Sequence, residues 1–170
     1  MEIVGIVAEY NPFHNGHRHQ IAQARALAGA GAVVCAMSGN FVQRGDCAVT
    51  DKWTRARMAL EGGADLILEL PTVWASSSAE TFARGSVEIL HAAGATALSF
   101  GSETGDGAAL AQVAQVLDDP AFSQALQPFL SRGLPFAQCR HRAVQELLGE
   151  EAASCLANAN DNLGVEYLRA

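Results

Sequence analysis

Lysine is nearly absent from this chain. Of its eleven basic residues, ten are Arg and only Lys52 is Lys. Cations are also outnumbered by eighteen carboxylates, giving a formal net charge of −7. That balance excludes the broad positive footprint with which proteins hold nucleic-acid phosphates, although it leaves room for a local basic patch. Long apolar runs are missing too. The longest is about six residues, at 3–8, against the roughly 20 a membrane helix needs, so no membrane partner is expected. No basic stretch precedes it, because Glu2 stands there. A secretory leader is therefore not expected, and the cytoplasm is the expected location. Finally, Cys35, Cys47, Cys139 and Cys155 form no C-x-x-C pair. This argues against a zinc site or a redox motif and predicts four free thiols, buried or half-buried.

What remains is a globular composition. With 49% hydrophobic and 17% charged residues over 170 positions, the chain can build a proper core. Apolar runs at 3–8, 32–37, 65–70 and 97–100 read as buried strands. Helical patterns separate them, at 15–27, 51–60 and 77–93. Asp51 is a plausible N-cap, and Ser77 with Glu80 has capping-box spacing. Strands without polar alternation, separated by helices, predict a doubly wound α/β fold around a parallel sheet, with ligands beyond the carboxyl ends of the strands. After residue 107 the pattern turns to successive helices, at 108–117, 120–130, 135–148 and 150–156. A polar loop at 158–162 and a helix from 164 follow. The expected organisation is an α/β core over 1–105. A helical extension over 106–170 packs on the same domain and continues into a further C-terminal part.

Four segments carry chemistry. The first, Glu9-Tyr10-Asn11-Pro12-Phe13-His14-Asn15-Gly16-His17, joins the first strand to the first helix. Free N–H groups and the helix dipole make that position an anion site. Two histidines three residues apart add donors on one side of the helix start, and Gly16 leaves the backbone open between them. As imidazolium groups, His14 and His17 would stabilise charge on a nucleotide's phosphates as the α-phosphorus is attacked. The plainer alternative is a pair of surface histidines at a helix cap.

The second segment, residues 37–46, is long for a β–α connection. Ser38, Gln43 and Arg44 lie in it as candidates for a substrate or phosphate loop. Lys52 follows as a candidate catalytic cation, with Arg55 less favoured. The alternative is a solvated face shared with Asp46 and Asp51. The third segment, residues 99–103, places Gly101 and Ser102 at a strand's end. There an adenine or ribose can lie on the backbone, or the chain makes an ordinary tight turn. The fourth, residues 158–167, holds Asn158, Asn160 and Asn162, more than one cap requires. His19, His91 and His141 read as packing or surface residues, and Trp53 and Trp74 as packing residues.

Taken in order, Ile-Val-Ala-Glu-Tyr-Asn-Pro-Phe-His-Asn-Gly-His from residue 6, Met-Ser-Gly-Asn-Phe-Val-Gln-Arg-Gly from 37, Asp-Lys-Trp from 51, Phe-Gly-Ser-Glu from 100 and Asn-Leu-Gly-Val-Glu-Tyr-Leu from 162 resemble the bacterial tRNA(Met) cytidine acetate ligases, nucleotidyltransferases of the HIGH superfamily. The resemblance runs from residue 3 to the last. It implies a Rossmann-like nucleotidyltransferase α/β domain that activates acetate with ATP as acetyl-adenylate. The family then acetylates N4 of the wobble cytidine of elongator tRNA(Met). It implies ATP contacts along Val7, Ala8, Glu9, Tyr10, Asn11, Pro12, Phe13, His14, Asn15, Gly16, His17 and Gln20, and at Gly101. It also implies one at the Asn before Leu-Gly-x-Glu-Tyr, which is Asn160, with Asn162 second. Mg2+ is implied as the ATP counter-ion; no metal-ligating set is identified.

The chain departs from the family pattern where Gln20 takes the place of a His and His19 precedes it, and where Asp161 adds a carboxylate beside the Asn. Family members are roughly twice as long, so the chain reads as an N-terminal part or a short relative, with tRNA binding weak or absent on its own. Two other readings stand beside the first: a small-molecule nucleotidyltransferase, and an ATP-binding fragment without full activity.

Overall fold

The computed structural model describes residues 1–170, which divide into two compact units, Met1–Phe100 and Gly101–Ala170. The first unit is a four-stranded sheet of β1 (Ile3–Ala8), β2 (Ala32–Ser38), β3 (Leu66–Leu70) and β4 (Ala97–Ser99). All neighbours pair in parallel, in the order β3-β2-β1-β4. Between the strands run α1 (Asn15–Ala28), α2 (Lys52–Glu61), the short α3 (Thr72–Ala75) and α4 (Ala79–Ala92). This is the expected doubly wound α/β arrangement.

Strand periodicity explains why β2 is buried almost throughout. Val33, Cys35 and Met37 point to one face, where they meet Val4, Ile6, Ile21 of α1 and Ala59 of α2. Val34 and Ala36 point to the other, against Leu90 of α4. Gly5 is needed on that second face, since a Cβ there would lie 2.9 Å from Leu90 Cδ1. The chain steps outward from β1 to β2 to β3, then returns to place β4 on the far side of β1. Strand order therefore reverses at β1, and the crevice beyond the carboxyl end of β1 is where such sheets take ligands.

The second unit is helical: α5 (Gly107–Asp118), α6 (Pro120–Leu130), α7 (Phe136–Leu148), α8 (Glu150–Ser154), a 3-10 turn (Cys155–Ala157) and α9 (Ala159–Arg169). Its core includes Leu110, Val113, Phe122, Phe129, Val144 and Val165. Glu166 is buried among them and pairs with Arg140 at 2.5 Å and Arg169 at 2.8 Å. Arg169 also holds Asp118 at 2.8 Å. No helix is long and apolar enough to cross a membrane.

Several expectations are corrected. In the polar stretch 158–162, Asn158 is the N-cap of α9 and residues 159–162 are its first turn, not a loop. Its N–H groups are capped by a carboxylate far away in sequence, described below. The cap of α4 is Ser78, which accepts from Thr81 N, while Ser77 donates to the Trp74 carbonyl. The helix expected over 150–156 is shorter, because the chain tightens into the 3-10 turn at Cys155. Cys35, Cys139 and Cys155 are buried, but Cys47 is exposed on a surface hairpin. Trp74 packs as expected, against the bare face of Gly85. Trp53 does not pack: it is 73% exposed on the first turn of α2, with Lys52 Nζ 5.3 Å from its ring centroid.

Candidate active site

The loop after β1 builds its own helix cap. His14 is the N-cap of α1, and its Nδ1 accepts from Gly16 N at 3.1 Å. His17 Nδ1 in turn accepts from His14 N at 3.2 Å. This is a capping box made of two imidazoles, and it stacks them with ring centroids 3.7 Å apart. Gly16 leaves room for it: a Cβ there would lie 3.0 Å from the His14 ring and push it aside by a few tenths of an ångström. Both Nδ1 atoms are acceptors and so carry no proton. In the neutral rings the proton sits on Nε2, leaving each Nε2–H as a donor edge.

His17 is not the imidazolium that the sequence reading expects. Burial, and next the adjacent His14, push it down from its ordinary 6.5 to about 4. Tyr10 and Phe13 supply the apolar walls, with ring centroids 4.9 and 5.6 Å from that of His17. The donor is therefore a neutral N–H held in a partly dry site. The shift also has a stability consequence. Between pH 4 and 6.5 the unfolded chain binds a proton at residue 17 that the folded chain refuses. The stabilisation is complete above pH 6.5 and fades as pH falls toward 4. Melting temperatures measured across that window should therefore fall with pH, and His17→Gln should flatten this part of the profile. An identical slope in the variant would contradict the assignment.

Tyr10 sits deeper. It is buried, its hydroxyl lies 3.2 Å from Cys35 Sγ, and its backbone has φ +48°. Positive φ in a bulky residue costs about 1–3 kcal/mol and persists where the surroundings over-determine it. Here the core holds the ring, and the turn re-aims the chain toward the helix cap. Phe13 packs over Gly62, where a Cβ would collide with the ring.

The long loop between β2 and α2 is a small hairpin, bridged at Phe41 and Cys47 and turned at Gly45 with φ +83°. Side chains of the first loop tie it down. Glu9 Oε1 accepts from Gln43 N at 2.9 Å, and Asn11 Oδ1 accepts from Val49 N at 2.7 Å. Arg44 stays exposed at the hairpin's tip. Ser38, at the end of β2, is fully buried with its hydroxyl unpartnered.

The remaining cations divide sharply. Arg55 is wholly buried and serves the backbone. Its guanidinium donates to the carbonyls of Glu9 at 2.6 Å, Ser38 at 3.1 Å, Thr50 at 3.2 Å and Gly39. Neither a phosphate contact nor a solvated charge, it clamps the carboxyl ends of β1 and β2. Lys52 Nζ is held by both oxygens of Glu69, at 2.6 and 2.7 Å. Glu69 reaches it from β3 past Gly39, where a Cβ would lie 2.5 Å from the carboxylate. Sequence reasoning passed over Glu69. Its signal is a carboxylate near the end of an otherwise apolar strand. His19 is exposed and Gln20 half-buried on α1.

Within the second unit, Gly101 opens a turn that Asp161 organises. The Asp161 carboxylate is buried and accepts from Ser102 Oγ, from Glu103 N at 3.0 Å and from Asn158 Nδ2 at 2.9 Å. The added carboxylate of this chain is thus spent inside the fold. Asn160 is exposed at the start of α9, and Asn162 is half-buried one turn into it.

A family model described as HIGH Nucleotidyl Transferase matches residues 1–170. The tRNA(Met) cytidine acetate ligase of Caldanaerobacter subterraneus is 45% identical over all of this chain and 43% of its own length. That of Syntrophotalea carbinolica is 47% identical over all of this chain and 41% of its own. The chain thus spans about two fifths of these relatives. Thermotoga maritima TmcAL, in a crystal structure bound with alpha-thio ATP, superposes with a TM-score of 0.95 at 41% identity, covering 99% of this chain and 43% of that one. With its strand order and its histidine-capped first helix, the chain belongs to the HIGH nucleotidyl transferase family.

Proposed function

We propose that this chain is the ATP-handling part of a tRNA(Met) cytidine acetate ligase. The observation that carries the reading is the stacked His14–His17 cap beyond β1, with two Nε2–H donors at a helix N-terminus. In the proposed reaction an acetate oxygen attacks the α-phosphorus of ATP, forming acetyl-adenylate and expelling pyrophosphate. N4 of the tRNA cytidine then attacks the acetyl carbonyl and releases AMP.

The loop over residues 7–17, with Gln20, is assigned to ATP. Glu9, Tyr10 and Asn11 act there through backbone N–H groups: Glu9 Oε1 and Asn11 Oδ1 hold the hairpin, the Glu9 carbonyl is taken by Arg55, and the Tyr10 ring is buried. His14 and His17 donate to the phosphates, and Arg44 and Ser38 serve the substrate side of the hairpin. Lys52 contributes charge only when Glu69 releases it. Gly101 and Asn160 of the second unit are each assigned to ATP on the family resemblance. Mg2+ is proposed as the counter-ion of the triphosphate. Acetate is the proposed acceptor.

ATP–pyrophosphate exchange tests this. Exchange that requires acetate supports it. Exchange that requires a phosphate ester makes the chain a small-molecule nucleotidyltransferase, and ATP binding with neither makes it a binding fragment. For tRNA the proposal is weak or no binding by this chain alone. Six of its eleven cations, Arg25, Lys52, Arg55, Arg84, Arg140 and Arg169, are already engaged by carboxylates or carbonyls. A gel shift with tRNA(Met) at about 0.15 M salt that shows tight binding would refute this part.

A further inference from the structure

The start of α9 is capped from 57 residues away. Glu103 Oε1 accepts from Asn160 N at 3.0 Å and from Asn160 Nδ2 at 3.0 Å, while Oε2 accepts from Asp161 N at 2.8 Å. Desolvation would raise the Glu103 carboxyl, but these backbone N–H groups outweigh it and hold it below the usual carboxylate range. An ionised carboxylate only accepts, so the face of the Asn160 amide turned toward it must be the NH2. The opposite end, Oδ1, is then the acceptor left for anything outside.

We propose that Glu103 is a positioning residue that turns the Asn160 amide so that Oδ1 meets a hydrogen-bond donor of the nucleoside, the adenine 6-amino group or a ribose hydroxyl, and not a phosphate. The inference rests on the assignment of Asn160 to ATP. Phosphate oxygens are excluded on two grounds. They cannot donate to Oδ1, and near Nδ2 they would face the Glu103 carboxylate, with Asp161 beside it. The Asp161 carboxylate ties the turn to the helix start by accepting from Glu103 N and Ser102 Oγ, and touches neither the Asn160 amide nor the Glu103 carboxylate. The turn and the helix start therefore hold each other.

The test is calorimetric titration of the 170-residue chain with ATP, 2′-deoxy-ATP, 3′-deoxy-ATP and inosine triphosphate. The unaltered chain should bind at least one analogue about tenfold more weakly than ATP, as expected for one lost hydrogen bond in a partly dry site. A penalty on inosine triphosphate identifies the 6-amino group, and a penalty on a deoxy analogue identifies a hydroxyl. In Glu103→Gln one oxygen becomes NH2, the Asn160 amide is free to turn over, and the penalty should shrink to within about threefold. Asp161→Asn serves as the control. It loosens the same junction without touching the Asn160 amide, so it should lower Tm and leave the discrimination in place.

Equal affinity for all four nucleotides in the unaltered chain overturns the inference. So does a penalty that survives in Glu103→Gln, or one that vanishes equally in Asp161→Asn. If Glu103→Gln does not fold, Asn160→Ala, which keeps both capped backbone N–H groups, must erase the discrimination, and retention there overturns the inference too. Failure of the unaltered chain to bind ATP is a different outcome, which removes the assignment of ATP itself and the inference with it.

Discussion

Replacing His17 with alanine is expected to lower acetate-dependent ATP–pyrophosphate exchange by about 10²–10³-fold, the loss that follows removal of one preorganised donor from a charge-developing centre. The fold should survive. His17 contributes half of a capping box and the edge of an aromatic cluster, so its loss costs on the order of 1 kcal/mol of stability. His14 divides the two roles more cleanly. Its Nδ1 caps α1 through Gly16 N, and serine is among the best N-caps. His14→Ser should therefore keep the melting temperature within a few degrees while losing most of the exchange. His14→Ala should lose both. Full exchange in His17→Ala and His14→Ser would show that the pair is only a cap. Because His17 stays neutral in the fold well below its ordinary 6.5, donation through its Nε2–H does not require protonation. Exchange should therefore show no loss on passing through pH 6.5, because in the fold His17 takes up its proton only near pH 4.

Arg55→Met is expected to destabilise the first unit by about 3 kcal/mol or more. The estimate follows from four carbonyls, two buried and two part-buried, losing a charged donor, each such hydrogen bond contributing roughly 1.5–3 kcal/mol and the unpaired buried acceptors adding their own cost. Spread over a chain of this size, that is a Tm lower by roughly 10 °C. Arg55→Lys should rescue little. A compact ammonium keeps the charge but cannot span the carbonyls of Glu9, Ser38, Gly39 and Thr50 together. Arg57→Met, two residues along the same helix and exposed, should change Tm by no more than a degree or two. Thermal melts of the three variants decide it, and a stable Arg55→Met protein would mean that water can replace the clamp.

Much of the architecture was legible along the chain because its causes are local. A strand covered on both faces must be apolar at every position, and β2 is. Asp51 and Gly29 stand at helix ends because a short acceptor and a left-handed backbone serve there, and both do so. The pairing of His14 and His17 at the start of the first helix was legible for the same reason, although they were read as phosphate donors and the cap they form stood only as the alternative. Residues at N-cap and N3 meet through the first helical turn whatever surrounds them. The protonation of His17 was not, since it depends on how Tyr10 and Phe13 close over the ring. The roles of the cations were also hidden. Arg44, Lys52 and Arg55 look alike in sequence, yet one is free, one is held by Glu69 and one is sealed under the strand ends.

The sequence by itself therefore determined the alternation of strands and helices, the parallel sheet that alternation requires, and the histidine-capped loop at its carboxyl edge. Each depends on contacts within about four residues or on a face pattern repeated within one element. Only the tertiary structure decided that Arg55 reaches the Glu9 carbonyl 46 residues away, that Glu103 caps a helix 57 residues on, and that residues 159–162 are helical at all. Those partners are chosen by where the crossovers bring distant chain ends together. A lone carboxylate or guanidinium in the sequence carries no mark of which backbone group it will meet.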